Sequence, residues 1–254
     1  MIQNTEKKPT VDVIIPTWNR GPMLERAVGS VLMQGESVQK IIVVDNGSVR
    51  ARLNLTDDRI VLIQAEISIG ASAARNIGVF ESNADYVAFL DDDDYWKPDF
   101  LSSMSGLLKS DVDIVVGSLM REAEGGEPRK YKLIDDTECG LRKLYYKNPG
   151  FGGQNIVVKR DFFIKIGGFD TEMPASNDRD FAVRAIQSGG VIKVQPSAVA
   201  VLCDHANARV RHKQVIGNYR FIVKHWRFMN WFERFFAIGI LTKRYIISRI
   251  NNLF

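Results

Sequence analysis

Apolar positions in the first half of the chain alternate between two periods. Val11-Asp12-Val13-Ile14-Ile15 is a near-continuous apolar run ending at Pro16, the pattern of a buried strand, and the next segment sets Leu24, Ala27, Val28, Val31 and Leu32 on one helical stripe. Lys40–Val44 (KIIVV) reads as a second strand, closed by Asp45-Asn46-Gly47-Ser48, whose Asn-Gly pair signals a turn. Ile60–Gln64 (IVLIQ) is a third strand, residues 71–82 follow a helical pattern, and Tyr86–Leu90 (YVAFL) is a fourth strand running straight into four aspartates. Strands apolar on both faces predict an α/β fold with a single, mostly parallel central sheet and helices on both faces. The second half is less regular: 112–117, 155–159, 191–194 and 198–202 read as strands, 178–188 as a helix, and 122–129 (EAEGGEPR) as an exposed loop.

In open sheets of this kind, ligands bind beyond the carboxyl ends of the strands. The polar residues there are Pro16-Thr17 after the first strand, Asp45 after the second, and Asp91 to Asp94 after the fourth. After the first strand the chain reads Pro-Thr-Trp-Asn-Arg-Gly, which is neither the glycine-rich dinucleotide fingerprint nor a P-loop. A Rossmann dehydrogenase or an ordinary ATPase therefore lacks its signature.

Composition narrows the class without changing the fold. With 254 residues, 45% apolar and 25% charged, the chain suits one large domain plus an appendage and does not suit a disordered, collagen-like or polytopic membrane protein. The opening MIQNTEKKPT has no apolar stretch of the secretory kind, so a cytoplasmic protein is expected. Cys139 and Cys203 lie far apart with no metal-finger spacing, which predicts reduced thiols.

Charge is unevenly placed. From His205 onward there are ten Lys or Arg against one acid, Glu233, whereas the preceding chain holds 24 bases and 29 acids. The predicted organisation is a domain over 1–204, with a nucleotide-binding part at about 10–117 and an acceptor part at about 118–204, followed by a helical basic and aromatic tail over 205–254. Between Tyr219 and Phe254, aromatics such as Trp226, Trp231 and Phe235 interleave with bases such as Arg227, Arg234 and Arg244. This suits the anionic interface of a membrane better than nucleic acid, and equally a second copy of the chain. The longest uncharged stretch, Phe235 to Thr242, is too short to span a bilayer.

Asp91-Asp92-Asp93-Asp94 carries the strongest chemical signal. On extended backbone Asp91 and Asp93 share one face, Asp92 and Asp94 the other. Two carboxylates about 4 Å apart repel by about 4 kcal/mol at an effective dielectric of about 20, which a divalent cation reverses. Oxygen-only ligands select a hard ion, Mn²⁺ or Mg²⁺. The competing reading is an acidic turn capping a helix after Pro98. Asp45 can equally be turn chemistry, Arg75 and Asn76 lie on a helix that can face the same cleft, and Asp178 and Asp180 can be ordinary helix-start acids.

Six blocks in this order, VDVIIPTWNR, IIVVDNGS, GASAARNIGV, YVAFLDDDDYWKPDFL, GGFD and SNDRDFAVRAIQSGG, resemble the family 2 glycosyltransferases of the GT-A fold over roughly residues 10–205. The resemblance implies transfer of a sugar from a nucleotide donor, usually a UDP-sugar, with inversion at the anomeric carbon. It places Pro16, Thr17, Asn19, Asp45 and Arg75 by the nucleotide, Asp92 near the ribose, and Asp91 and Asp93 at the metal, with Asp93 the direct ligand. Asp178 matches the second acid of a Glu-Asp pair that supplies the catalytic base; its neighbour here is Asn177, a departure that removes a charge. His205 resembles a histidine that approaches the metal or diphosphate in some relatives. Gly153, Gln154 and Asn177 would lie on the acceptor side, and the acceptor would be a saccharide, lipid-linked in bacterial surface-polysaccharide assembly at the inner face of the cell membrane. Two other readings remain open: an inactive sugar-nucleotide or membrane-binding module of the same fold, and an Asp-nucleophile phosphotransferase, against which Tyr95 stands where Thr or Val is usual.

Overall fold

The computed structural model describes residues 8–204 and 211–250, apart from the side chains at 138–139, 211–213 and 248–250. The first half follows the predicted alternation: β1 (Val11–Thr17), α1 (Gly21–Leu32), β2 (Lys40–Asp45), β3 (Ile60–Gln64), α2 (Ala71–Glu81) and β4 (Tyr86–Phe89). Then come β5 (Tyr95–Trp96), α3 (Phe100–Met104), β6 (Ile114–Glu122), β7 (Arg129–Lys132), α4 (Glu138–Arg142), β8 (Ile156–Lys159), α5 (Arg160–Lys165), α6 (Asn177–Gln187), β9 (Ile192–Cys203), α7 (Arg211–His225) and α8 (Trp231–Ile250).

One sheet holds all the described strands, in the order β3-β2-β1-β4-β8-β6-β9-β5 with β7 on β6. Its first four strands are parallel, as the doubly apolar runs predict. Beyond β4 the sheet is mixed: β8 is antiparallel to both β4 and β6, β6 runs parallel to β9, and β5 antiparallel to β9. Within the parallel part, Thr17 pairs with Asp45 and Ile14 with Phe89. The carboxyl ends of β1, β2 and β4 therefore finish along one edge, where the four aspartates leave the sheet.

Alternation along the strands sorts the core into two layers. Val13, Ile15, Ile41 and Val43 pack with α1 and α3, whereas Ile14, Ile42, Val44 and Phe89 pack with α2, α5 and α6. β3 departs from the expectation of two covered faces because it is the edge strand, with Val61 and Leu62 exposed. Residues 191–194 and 198–202 do not form separate strands; they are one strand, β9, whose register against β6 shifts between Gly117 and Ser118, opposite Pro196. Proline lacks the amide that a regular ladder needs, so the chain bulges there and continues.

α2 lies close on β1. A Cβ at Gly78 would sit 2.5 Å from Ile14 Cγ2, a fully buried core atom. Gly78→Val should therefore cost about 1–3 kcal/mol of overpacking, more than the helix propensity regained, below about 1 kcal/mol. A urea midpoint equal to wild type would show that this contact is not tight.

The basic segment after residue 210 is joined to the body along one side. Phe221, Ile222, Met229 and Ala237 belong to the same apolar layer as α6. Buried Asp180 on α6 accepts hydrogen bonds from His225 Nε2 and Lys224 Nζ, both at 2.8 Å, and from Arg184 Nε at 2.8 Å. Glu233, the segment's one acid, is buried and receives a bidentate pair from Arg142 on α4, both contacts at 2.8 Å.

Candidate active site

A cleft of about 400 Å³ opens at the carboxyl edge of the parallel strands, lined among others by Thr17, Trp18, Asn46, Arg75, Asp91 and Asp93. Its floor is set by loop-to-loop clips. Asn46 is buried and its Nδ2 donates to Thr17 O at 2.9 Å. Asn19 takes a left-handed φ of 58°, its Nδ2 donating to Ser48 Oγ at 3.1 Å and its Oδ1 accepting from Val49 N at 2.9 Å. Asp45 accepts from Gly47 N at 2.8 Å and Ala51 N at 2.7 Å, so both its oxygens shape the loop after β2, one step back from the cleft lining. Pro16 lines the cleft, as does the start of α2 at Gly70 and Ala71. Gly70 sits at φ 87°, a conformation that favours glycine, and the first turn of α2 has neither a side-chain cap nor an acid. Its free amides give this wall a partial positive charge.

The four aspartates do not stay extended. Asp94 N donates to Asp91 O at 3.2 Å, closing a turn that brings Asp94 to the side of Asp91 and Asp93. One carboxylate oxygen from each of Asp91, Asp93 and Asp94 lies within 4.8 Å of the others. The strict alternation expected from strand geometry thus fails after Leu90, and Asp94 joins the pair that was predicted alone. Asp92 turns away, accepting from Thr17 Oγ1 at 2.8 Å and Trp18 N at 3.2 Å. Burial pushes Asp92 up to about 6, although the Thr17 hydroxyl works the other way. Burial also drives Asp94 well above the ordinary carboxylate range, with the charge of Asp91 adding to it. None of these acids caps α3, whose start at Asp99 carries no side-chain cap. Three converging oxygens at an electrostatic cost fit a hard divalent cation.

Part of that cost is met by arginines that the sequence reading passed over. Arg20 Nη1 donates to Asp93 Oδ2 at 3.0 Å, and Arg26 Nη2 to Asp93 O at 2.6 Å. Arg20 precedes α1 and Arg26 lies midway along it, with no pattern that marks either; only the fold brings them to the turn. Arg75 is where it was expected, buried, ion-paired with Asp91 and 5.4 Å from the Phe169 ring centroid. Burial acts against its charge, but Asp91 and Asp178 outweigh that and hold it above its usual value. Asn76 does not face the cleft: it clamps Phe169, donating to its carbonyl at 2.8 Å and accepting from its amide at 2.9 Å.

Asp178 opens α6 on the far side of Arg75. Its Oδ1 and Arg75 Nε are both fully shielded and without a hydrogen-bond partner. Gly153 fits between them, since a Cβ there would lie 3.3 Å from both Arg75 Cζ and Asp178 Oδ1. Burial raises Asp178 above the usual carboxylate range, Arg75 opposes this, and Asp91 adds to it. A carboxylate so placed is a stronger base than one in water. Capping does not account for it, because neither Asp178 nor Asp180 caps the helix and Ser176 at the N-cap makes no side-chain cap bond. Asn177 instead fastens α6 to α2, its Nδ2 donating to Ser72 Oγ and, at 3.4 Å, to Met173 O. Gln154 is buried, and its carbonyl accepts from Trp96 Nε1 at 2.7 Å. His205 and the side chain of Cys139 lie outside the described residues; Cys203 is a free thiol.

Asp178 also lines a second cavity of about 520 Å³, which Arg179, Ile240 and Arg244 share. Two cavities thus meet at the Asp178–Arg75–Asp91 chain. One has converging acids and a helix N-terminus; the other has a buried base. Converging acids, a helix N-terminus and a shielded carboxylate are groups that suit transfer from a phosphorylated donor.

The sequence profile of Glycosyl transferase family 2 matches residues 12–167, and the chain belongs to that family. It is 28% identical over 233 residues to WcaA of Escherichia coli (strain K12), assigned to colanic acid biosynthesis as a glycosyl transferase, covering 87% of this chain and 82% of WcaA. It is 38% identical over 164 residues to TuaG of Bacillus subtilis (strain 168), assigned to teichuronic acid biosynthesis, covering 62% of this chain and 65% of TuaG. A solved mannosyltransferase from Pyrobaculum calidifontis, in complex with GDP-Man and Mn²⁺, superposes with a TM-score of 0.64 at 20% identity, over 87% of this chain and 65% of that one. The fold is therefore GT-A, with a C-terminal helix added. The chain spans less than two thirds of the length of TuaG and of the mannosyltransferase.

Proposed function

We propose that the protein is an inverting glycosyltransferase that moves a sugar from a UDP-sugar to a hydroxyl of a saccharide acceptor, lipid-linked, in bacterial surface-polysaccharide synthesis. The observation that carries this reading is the placement of the shielded Asp178 carboxylate between the acid corner and the second cavity. Thr17, Arg75 and the first turn of α2 hold the nucleotide, with Pro16, Asn19 and Asp45 shaping its loops. Asp91, Asp93 and Asp94 hold Mn²⁺ or Mg²⁺. The cation supplies neutralisation of the diphosphate as it leaves. Asp178 accepts the proton of the acceptor hydroxyl while that oxygen bonds to the anomeric carbon on the face opposite the departing diphosphate, so configuration inverts. Names among the relatives, polysaccharide assembly for WcaA and TuaG, support the pathway class.

The test is a panel of UDP-sugars with and without Mn²⁺, reading UDP release. Release that requires the cation and quickens with a lipid-linked saccharide is expected. A panel with no cation-dependent release from any member would overturn the UDP-sugar transferase reading.

Membrane docking through α8 belongs to the same proposal. No helix among the described residues is long and apolar enough to cross a membrane. Trp231, Phe235, Ile238 and Tyr245 nevertheless form an exposed stripe at helical spacing, with Trp231 79% and Phe235 69% accessible, flanked by Arg234 and Lys243. Such a face fits the anionic inner leaflet of the cell membrane. The full chain should float with phosphatidylglycerol-containing vesicles, and Trp231→Ser/Phe235→Ser should not. Equal flotation of both would end the docking reading, and a concentration-dependent dimer lost in the same variant would assign the stripe to a second copy.

A further inference from the structure

The second cavity is electropositive, and nothing in the sugar-transfer chemistry described so far accounts for its charge. Lys132, Lys147, Arg179 and Arg244 line it against one acid, Asp178. Arg179 is the unusual member. It is buried at 5% exposure, its Nε has no hydrogen-bond partner among the described residues, and its Nη1 donates to Asn218 Oδ1 at 3.2 Å. Its guanidinium lies 3.5 Å over the Phe221 ring centroid, which fixes the plane without neutralising the charge. The neighbouring acid, Asp180, already serves Lys224, His225 and Arg184. Burial and then the Arg244 charge act against the charged form of Arg179, and the Asp180 charge only partly offsets them. Arginine nonetheless stays protonated in proteins, so the cavity holds a cation kept at a cost.

We infer that Arg179 and Arg244, with Lys132 and Lys147 at the rim, form an anion subsite that takes the phosphate or diphosphate group of the acceptor. This rests on the transferase reading and specifies its acceptor. Two guanidiniums suit bidentate contact with phosphoryl oxygens. Charge balance favours a diphosphate over a single carboxylate, because four cations face one acid here. The subsite also lies where a lipid-linked group would enter: Ile240 and Arg244 line the cavity from α8, and Phe236, one turn before Ile240, is on the exposed aromatic surface. A phosphoryl group held by Arg244 thus shares the cavity with Asp178 and lies beside Ile240 of α8.

The test is calorimetric titration of the full-length protein with inorganic pyrophosphate in EDTA, for wild type, Arg244→Gln, Arg179→Met and Arg227→Gln. Arg244 is exposed, so its variant keeps the fold even where Arg179→Met does not. Wild type should bind, Arg244→Gln at least about tenfold more weakly, as expected for one lost charge-assisted contact, and Arg227→Gln, outside the cavity, like wild type. Competition with a dodecyl glycosyl phosphate, a dodecyl glucuronide and a neutral dodecyl glycoside identifies the group: the phosphate should win. Equal pyrophosphate affinity in wild type and Arg244→Gln, or a glucuronide or neutral glycoside that competes as well as the phosphate, overturns the inference. Cation-dependent UDP release in the same preparation separates the two levels: release without pyrophosphate binding sinks the subsite alone, whereas binding without release sinks the transferase reading.

Discussion

Asp178→Asn should lower kcat by about 10²–10⁴-fold, the usual worth of general-base catalysis, while the affinity for UDP stays close to wild type. The substitution keeps the volume beside Gly153 and Arg75 and removes the ability to take a proton, while Asp91 still pairs with Arg75. The pH profile gives a second readout. Burial raises Asp178 above the ordinary carboxylate range, so the base becomes protonated, and turnover falls, at a higher pH than for a solvent-exposed aspartate. In wild type kcat should therefore drop on the acid side with a midpoint above about 4, and that limb should vanish from the residual rate of the variant. Unchanged turnover in Asp178→Asn would take this residue out of the chemistry.

Asp93→Ala should weaken Mn²⁺-dependent UDP binding by at least about tenfold, since loss of a charge-assisted contact is worth about 1.5–3 kcal/mol. Asp93 is one of three converging carboxylates and the only one of the three paired to Arg20. Binding that selects the folded form raises the melting temperature by an amount that grows with the logarithm of ligand concentration over Kd. Hence the gain in Tm that Mn²⁺ and UDP give the wild type should shrink in the variant. Calorimetry showing equal affinity with and without Asp93 would remove the metal assignment from this corner.

How far the sequence reaches depends on what each element is made of. β1, β2 and β4 are legible because both of their faces are buried, so they read as unbroken apolar runs ending in chemically marked residues. β7 is a four-residue polar strand and β5 only two residues long; both exist because β6 and β9 offer a ladder, which no local pattern records. At the site, Asp91, Asp93, Arg75 and Asp178 converge as anticipated. Asp94 was misplaced because an extended geometry was assumed where the backbone turns. Arg20 and Arg26 carry no local signal, since their partners stand more than sixty residues away. Arg179 looks like helix-start polarity in the sequence; only packing against Phe221 reveals it as a buried cation.

The buried ties that Asp180 makes to Lys224 and His225 bear on how the gene tolerates truncation. The helix bearing Asp178 is moored, two positions further on, to a segment well past the stretch that matches the family. A shortened product ending before α7 would keep Asp178 and the acid corner and still lose the ties that fix α6 in place.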